Sequence, residues 1–288
     1  PVDPTAGWPS DIEAKDLAGY GFAVTSTDTT QYEYTGWQDI DGVTYYYDPA
    51  THQPVTGQQV IQGNIYTFGA DGALNRTARG IDVSKFQGSI DWNAVKNDGI
   101  TFAIIRCGFG GEWDGAEENW AQDDPQWRRN ADECTRLGIP VGGYYYSCAV
   151  TAPQRDAELA LLHDALRGKR LQLPVAIDVE DARLRALTPD ALSALVAGAA
   201  RQLEHWGLYA MVYTYTHFAD TALHMDTLAS FDLWLADYRG KRPARRHGMW
   251  QYTSRGRVPG ISGPVDLSRT EKDYPALLHR AGLDRTIL

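Results

Sequence analysis

From Arg79 onward, short apolar runs alternate with stretches of helical patterning, and this alternation constrains the fold more than any other feature. Strands separated by helices of roughly 10 to 20 residues must be joined by crossover connections, which place the strands parallel in one sheet. After the run YAMVYTYT the helical stretches shrink to loops. The expected fold is therefore α/β, an eight-stranded barrel with few helices at its C-terminal end. The eight runs are GIDVSKF, TFAIIRCGFG, IPVGGYYYSCA, LPVAIDVED, YAMVYTYT, FDLWLADY, GMWQYTS and GPVDLS.

The chain ahead of Arg79 has a different pattern, in which short aromatic runs alternate with turn dipeptides. In each of two offset copies, a turn that contains glycine, Asp41-Gly42 or Gly63-Asn64, leads into an aromatic strand, and a second turn follows. This pattern predicts β-hairpins. The predicted domains, in chain order, are a segment of unknown role (1–30), a module of hairpin repeats (31–78) and the barrel (79–288).

Composition excludes several classes of partner. A net charge of −10 and a pI near 5.1, without a clustered basic face, argue against nucleic acid. The sequence contains no apolar run near the roughly 20 residues of a membrane helix, so no membrane span is expected. Three widely spaced cysteines predict buried free thiols rather than a disulfide framework, and no spacing suggests a metal site or a cofactor.

The fourth apolar run of the barrel carries the strongest chemical signal, Asp178-Val179-Glu180. Alternate side chains of a strand share a face, so the Cα atoms of Asp178 and Glu180 are about 7 Å apart and both side chains point into the barrel mouth. Two acids at that separation do not both ionise comfortably, so one is expected to keep a proton near neutral pH.

A protonated acid beside an ionised one is the arrangement that glycosidic cleavage requires. The alternative is that Asp178 and Glu180 are neutralised by a salt bridge to Arg106 or to another cation of the barrel. Because the reactive groups of such barrels gather where strands end at the C-terminal face, Asp82 and Asp266, expected to end two further strands, favour the chemical interpretation.

Several short motifs occur along the chain in the same order as in a known family, which makes the resemblance to that family specific. Over about residues 79–270 the chain resembles the family 25 glycoside hydrolases, the Chalaropsis-type lysozymes found as phage endolysins and bacterial autolysins. The resemblance implies an irregular TIM-like (β/α) barrel and N-acetylmuramidase activity on the MurNAc-β-1,4-GlcNAc bond of peptidoglycan. The motifs are Asp82-Val83-Ser84, Gln87-Gly88, Ile90-Asp91-Trp92, Phe102-Ala103-Ile104-Ile105-Arg106, Asp178-Val179-Glu180, Trp250-Gln251-Tyr252 and Val265-Asp266-Leu267.

Carried over by motif, the resemblance makes Glu180 the general acid. Asp178 either stabilises the oxocarbenium-like transition state or orients the 2-acetamido group of the substrate as an internal nucleophile, and Asp82 and Asp266 complete an acidic cleft floor. Arg106 is also a candidate binding residue, and it is expected to be a buried partner of the carboxylates rather than a contact with the sugar. The other expected substrate-binding residues, each with barrel packing as its alternative, are Tyr144, Tyr213, Trp234 and Gln251.

The hairpin repeats resemble the cell-wall-binding repeats of choline-binding and glucan-binding proteins. Rings such as Trp37, Tyr45 and Tyr66 are candidates for holding choline or a wall polysaccharide, because cations sit favourably over aromatic faces. A structural spacer is the alternative role for so few repeats.

The sequence thus predicts a secreted or wall-associated lysozyme whose partner is the peptidoglycan glycan strand. Two other functions remain open at this stage. One is a non-catalytic wall-binding protein, and the other is a glycosidase that acts on another N-acetylated glycan such as chitin.

Overall fold

The computed structural model describes residues 34–75, 78–111 and 120–287. The predicted segment 1–30 lies outside the described residues. Two compact units are present. The first contains residues 34–59 and 67–74, and the second contains 60–66 and the described residues of 75–287.

Two hairpins follow Tyr34, as the sequence predicts. In each, both central turn residues have positive φ, at 52° and 79° for Asp41-Gly42 and at 49° and 79° for Gln62-Gly63. This is the mirror-image turn whose twist matches that of paired strands. The second turn therefore lies one residue earlier than the expected Gly63-Asn64. The paired strands are β1 (Gly36–Ile40) with β2 (Val43–Tyr47), and β3 (Gly57–Ile61) with β4 (Asn64–Phe68).

The second unit contains a closed barrel built from the eight predicted runs. A short additional strand, β7 (Ala121–Asp123), pairs antiparallel with the second barrel strand outside the ring. In order around the barrel, the strands are β5 (Arg79–Val83), β6 (Phe102–Gly110), β8 (Val141–Tyr146), β9 (Val175–Asp178), β10 (Ala210–Tyr215), β11 (Asp232–Ala236), β12 (Met249–Gly256) and β13 (Val265–Thr270), which returns to β5.

The last strand departs from the parallel arrangement. β13 pairs antiparallel with both β12 and β5, whereas the other neighbours around the barrel are parallel. Only residues 257–264 join β12 to β13. A parallel crossover needs about a dozen residues or more, so a connection this short turns the chain back on itself.

The helices cover the outside of the barrel, and 237–264 contain none, which confirms the helix-poor end. Side-chain caps fix several helix starts: Asp91, Thr151, Thr188 and Asp273 accept hydrogen bonds from first-turn amides. The helices are α1 (Trp92–Asn97), α2 (Trp127–Leu137), α3 (Ala152–Leu166), α4 (Pro189–His205), α5 (Thr216–Thr221) and α6 (Tyr274–Ala281).

The alternation along β9 separates two apolar layers. Val175, Ile177 and Val179 pack outward in the cluster shared with the helices, while Ala176 joins the cluster inside the barrel. Burying an aliphatic side chain contributes about 1.5 to 3 kcal/mol, so these layers hold the strand and its acids in place.

The three cysteines do not form disulfide bonds. Cys107, Cys134 and Cys148 are buried free thiols, as predicted. Among the described helices, none combines the length and apolarity needed to cross a membrane.

Candidate active site

The four candidate carboxyl groups meet at one rim of the barrel. Asp82 is on β5, Asp178 ends β9, and Glu180 follows two residues later. The prediction that Asp266 ends its strand is wrong, because it is the second residue of β13. Since β13 is antiparallel, its start lies at the rim where the parallel strands end, and Asp266 is directly opposite Asp82 in register.

Gln251 holds Asp82 in a fixed orientation. Its amide nitrogen Nε2 donates to both carboxyl oxygens of Asp82 at 3.0 Å. The amide oxygen Oε1 accepts from the hydroxyls of Tyr213 at 2.9 Å and Tyr238 at 2.6 Å. Both ends of the amide are therefore satisfied, and the bonds connect the predicted residues Gln251 and Tyr213 to the acid cluster.

All four acids hold their protons more strongly than an exposed acid does. Burial is the main cause, and it raises the pKa of Asp82 and of Asp178 well above the usual range, with neighbouring carboxylates adding to the effect. The pKa of Glu180 is raised to about 7, mainly by burial and further by the charges of Asp266 and Asp181. The pKa of Asp266 is raised by burial and lowered in part by a hydrogen bond with Asp82. The cluster therefore retains protons near neutral pH.

No cation neutralises the cluster within the described ranges. None of the four carboxyl groups forms an ion pair there, and Oδ1 of Asp178 is buried without a hydrogen-bond partner. No group of three His, Cys, Asp or Glu side chains in those ranges is arranged to hold a metal ion. The geometry thus gives no support to the salt-bridge alternative for Asp178 and Glu180.

Arg106 is buried, but its partner is not one of the four predicted acids. Its Nε donates to Oδ2 of Asp124 at 2.8 Å. The expectation that Arg106 pairs with the cleft carboxylates is therefore wrong at the level of direct contact, although its charge lowers the pKa of Asp178 against the larger effect of burial. Asp124 lies 18 residues after Arg106 in sequence, so no local pattern links the two.

The predicted aromatic residues form a packed cluster in the barrel interior. The ring centre of Trp234 is 4.6 Å from that of Tyr213 and 6.2 Å from that of Tyr144, both in edge contact. Trp234 is 1 % exposed, and its Nε1 donates to Ser268 Oγ at 3.0 Å. The structure thus places Trp234 within the packed interior, while the hydroxyl of Tyr213 reaches Gln251.

Sequence reasoning missed Tyr238 and Asp181, which adjoin the acids. Tyr238 is half exposed. Its pKa is raised mainly by burial and further by the charges of Asp266, Asp82 and Glu180. Asp181 is held ionised by Arg183, which lowers its pKa to about 2, and it also accepts from the Tyr146 hydroxyl at 3.0 Å. Both lie within three residues after a strand end, and that position was the signal that could have identified them.

The buried acid Glu180 should make stability depend on pH. Its folded pKa of about 7, against 4.5 for an exposed glutamate, penalises the ionised folded form by about 3 kcal/mol. Because the folded pKa is raised, the penalty is absent below pH 4.5 and complete above pH 7. We expect Glu180→Gln to raise Tm by roughly 5 to 10 °C at pH 8 and to change it little at pH 4.5, measured by calorimetry. An equal change at both pH values would contradict this assignment.

The candidate wall-binding residues lie in both units. Trp37 on β1 is 38 % exposed and contacts Tyr46 edge-on, with 5.2 Å between ring centres. Tyr45 on β2 lies 6.2 Å from Tyr47. Tyr66 belongs to the second unit, where with His247 and Trp250 it lines a cavity of about 130 Å³.

Comparison with solved structures identifies the same fold. The bacterial lysozyme from Streptomyces coelicolor matches with a TM-score of 0.61 at 24 % identity, over 72 % of this chain and 98 % of that one. The modular autolysin LytC from Streptococcus pneumoniae matches with a TM-score of 0.57 at 22 % identity, over 83 % and 68 % of the two chains.

Sequence comparison adds relatives and families. The chain is 31 % identical over 191 residues to the "Autolytic lysozyme" of Clostridium acetobutylicum, a match that covers 66 % of this chain and 54 % of that relative. It is 27 % identical over 222 residues to "Lysozyme M1" of Streptomyces globisporus, covering 69 % and 70 %. Residues 34–77 match the choline-binding repeat. Residues 81–261 match the glycosyl hydrolases family 25, and the chain belongs to that family.

Proposed function

We propose that this protein is a peptidoglycan hydrolase, an N-acetylmuramidase that cleaves the β-1,4 bond between MurNAc and GlcNAc. The observation that carries the proposal is the state of Glu180, whose pKa is raised to about 7 by burial and neighbouring carboxylates at the barrel rim. Such a carboxyl group is still protonated at a pH where an exposed glutamate is ionised. It can therefore donate a proton to the leaving oxygen of a glycosidic bond.

The remaining acids complete the reaction. As Glu180 protonates the leaving oxygen, positive charge develops on the sugar ring. Asp178, whose buried Oδ1 has no partner in the described protein, either stabilises that charge or accepts a hydrogen bond from the 2-acetamido group and orients it for internal attack. Asp82, held by Gln251, and Asp266 form the floor that positions the sugar or a water molecule.

The relatives and the hairpin repeats support the same substrate. Two similar proteins carry the names "Autolytic lysozyme" and "Lysozyme M1". The repeat region, with Trp37 exposed and Tyr45 partly buried on a hairpin, is proposed to bind choline or a wall polysaccharide and so to raise the local substrate concentration. Its place of action is accordingly outside the cell or at the cell wall.

Digestion of purified peptidoglycan tests the proposal directly. We expect soluble fragments whose new reducing ends are MurNAc, identified by mass spectrometry after borohydride reduction. GlcNAc reducing ends would refute the bond assignment. Intact walls that nevertheless retain the protein on sedimentation would indicate a binding protein, and release of fragments from chitin alone would indicate another N-acetylated substrate.

A further inference from the structure

A cationic and aromatic patch lies beside the acidic cleft, on the turn that follows β5. Phe86 is 75 % exposed, the most exposed of the large hydrophobic side chains in the described residues. It lies in the short 3₁₀ turn Lys85–Gln87, which follows the strand that carries Asp82. A single exposed ring needs no explanation by itself, but this ring is surrounded by charged groups.

Hydrogen bonds hold the turn in one conformation. The backbone amide of Phe86 donates to Ser84 Oγ, and the amide of Ser84 donates to Gln87 Oε1 at 2.8 Å. The amide of Lys85 donates to Oδ2 of Asp124 at 2.9 Å. The exposed ring is therefore presented by a rigid turn, and little conformational entropy is lost when a ligand binds it.

Two cations, those of Lys85 and Arg106, lie against this turn. The Arg106 guanidinium carbon is 5.1 Å from the centre of the Phe86 ring, and the Lys85 ammonium is 5.7 Å from the same centre. Both cations also lie over Phe109, at 4.9 Å and 4.6 Å. Asp124 pairs with Arg106 through Nε, and Lys85 forms no ion pair in the described part of the chain.

Arg106 retains unused donor capacity. The side chain is only 9 % exposed, yet its Nη2 has no hydrogen-bond partner among the described residues. A buried donor left unsatisfied is unfavourable, so one in a native structure calls for an explanation. Arg106 lies opposite Tyr144 in the register of β6 and β8, and β6 also pairs with β5, the strand that carries Asp82, so this guanidinium lies beside the cleft.

We propose that Lys85, Phe86 and Arg106 form a subsite for a sugar that bears a carboxylate on its side substituent. The exposed ring offers an apolar face to the sugar, and the two cations attract the carboxylate. The acids at the rim repel an anionic substituent, so a positive patch at the edge of the cleft sets where that substituent lies. The proposal rests on the proposed function, because muramic acid carries such a carboxylate on its lactyl group or on the attached peptide.

Binding of three soluble glycans separates the parts of the proposal. The first carries free lactyl carboxylates, the second carries stem peptides, and the third is neutral N-acetylglucosamine tetramer. Titration calorimetry would use the full chain with Glu180→Gln, which prevents cleavage, with and without Lys85→Gln. We expect Lys85→Gln to weaken binding of a carboxylate-bearing glycan about fivefold and to leave the neutral tetramer unchanged. The glycan that loses affinity identifies the source of the carboxylate.

Matched variants complete the test. Lys85→Arg, which keeps the charge, should retain affinity, and Lys96→Gln on α1 should behave as the unsubstituted protein does. Phe86→Ala should weaken all three glycans by a similar factor, because the sugar face is common to them. Equal loss for charged and neutral glycans on Lys85→Gln, no loss for any, or no binding of any glycan would overturn the subsite. Failure of the proposed function would show separately, as the inability of the wild-type chain to release reducing ends from walls.

Discussion

Replacing Glu180 by glutamine is expected to lower the rate of peptidoglycan hydrolysis by about 10³-fold or more. General acid catalysis contributes about 10² to 10⁴ in rate, and an unactivated sugar alkoxide is a poor leaving group without a proton. Glutamine keeps the size of the side chain and its hydrogen-bonding reach but has no proton to give. The rate of reducing-end release from purified walls is the measurement, with substrate in excess so that kcat is read directly.

A second glutamate, on a helix away from the acids, provides the control for the Glu180→Gln substitution. Glu204→Gln on α4 makes the same chemical change at an exposed position and should leave the rate unchanged. The wild-type rate should also fall as pH rises above 7, because the acid with a pKa of about 7 must be protonated to act. A Glu180→Gln protein that keeps more than a tenth of the activity would remove Glu180 from the role of proton donor.

Asp178→Asn is expected to lower kcat by about 10² to 10³-fold with little change in KM. The charge of Arg106 favours the ionised form of Asp178 against the effect of burial. Asparagine preserves the shape of the side chain but cannot carry the negative charge that ionised Asp178 sets against the positive charge of the transition state. Removal of one such preorganised electrostatic contact costs about this much in other enzymes. Reducing-end release at several substrate concentrations gives the two constants, and Asp226→Asn, at an exposed loop position, is the matched control.

A substrate with a better leaving group separates the roles of the two acids. On a soluble muramyl glycoside that releases nitrophenolate, protonation of the leaving group matters little. Glu180→Gln should then recover most of its cleavage rate, whereas Asp178→Asn should remain impaired, because charge still develops on the sugar. Recovery of both variants would show that Asp178 does not act on the sugar ring.

The sequence alone could not tell which aromatic residues near the acids are exposed. Trp234 was a good candidate for substrate contact by type and strand position, yet only the closed barrel shows that its ring packs against Tyr213 and Tyr144. Tyr238, four residues later, is half exposed and reaches Gln251 instead. The alternation of a strand assigns a face, but exposure at the rim depends on where neighbouring strands end.

The sequence by itself determined the features that depend on neighbouring residues. The period of two along β9 places Asp178 in the barrel interior and the aliphatic residues Val175 and Ile177 among the helices. The turn dipeptides specify the hairpins for the same reason, since positive φ at Asp41 and Gly42 is a local property.

Only the tertiary structure decided which distant groups meet. Asp266 faces Asp82 because β13 runs antiparallel, and Arg106 pairs with Asp124 rather than with the four acids at the rim. Neither contact is encoded by the spacing of residues along the chain, because strand direction and ring closure are set by loop length and by packing of the whole barrel. The raised pKa of Glu180 has the same origin: burial and the charges of Asp266 and Asp181 act on it together only in the closed barrel.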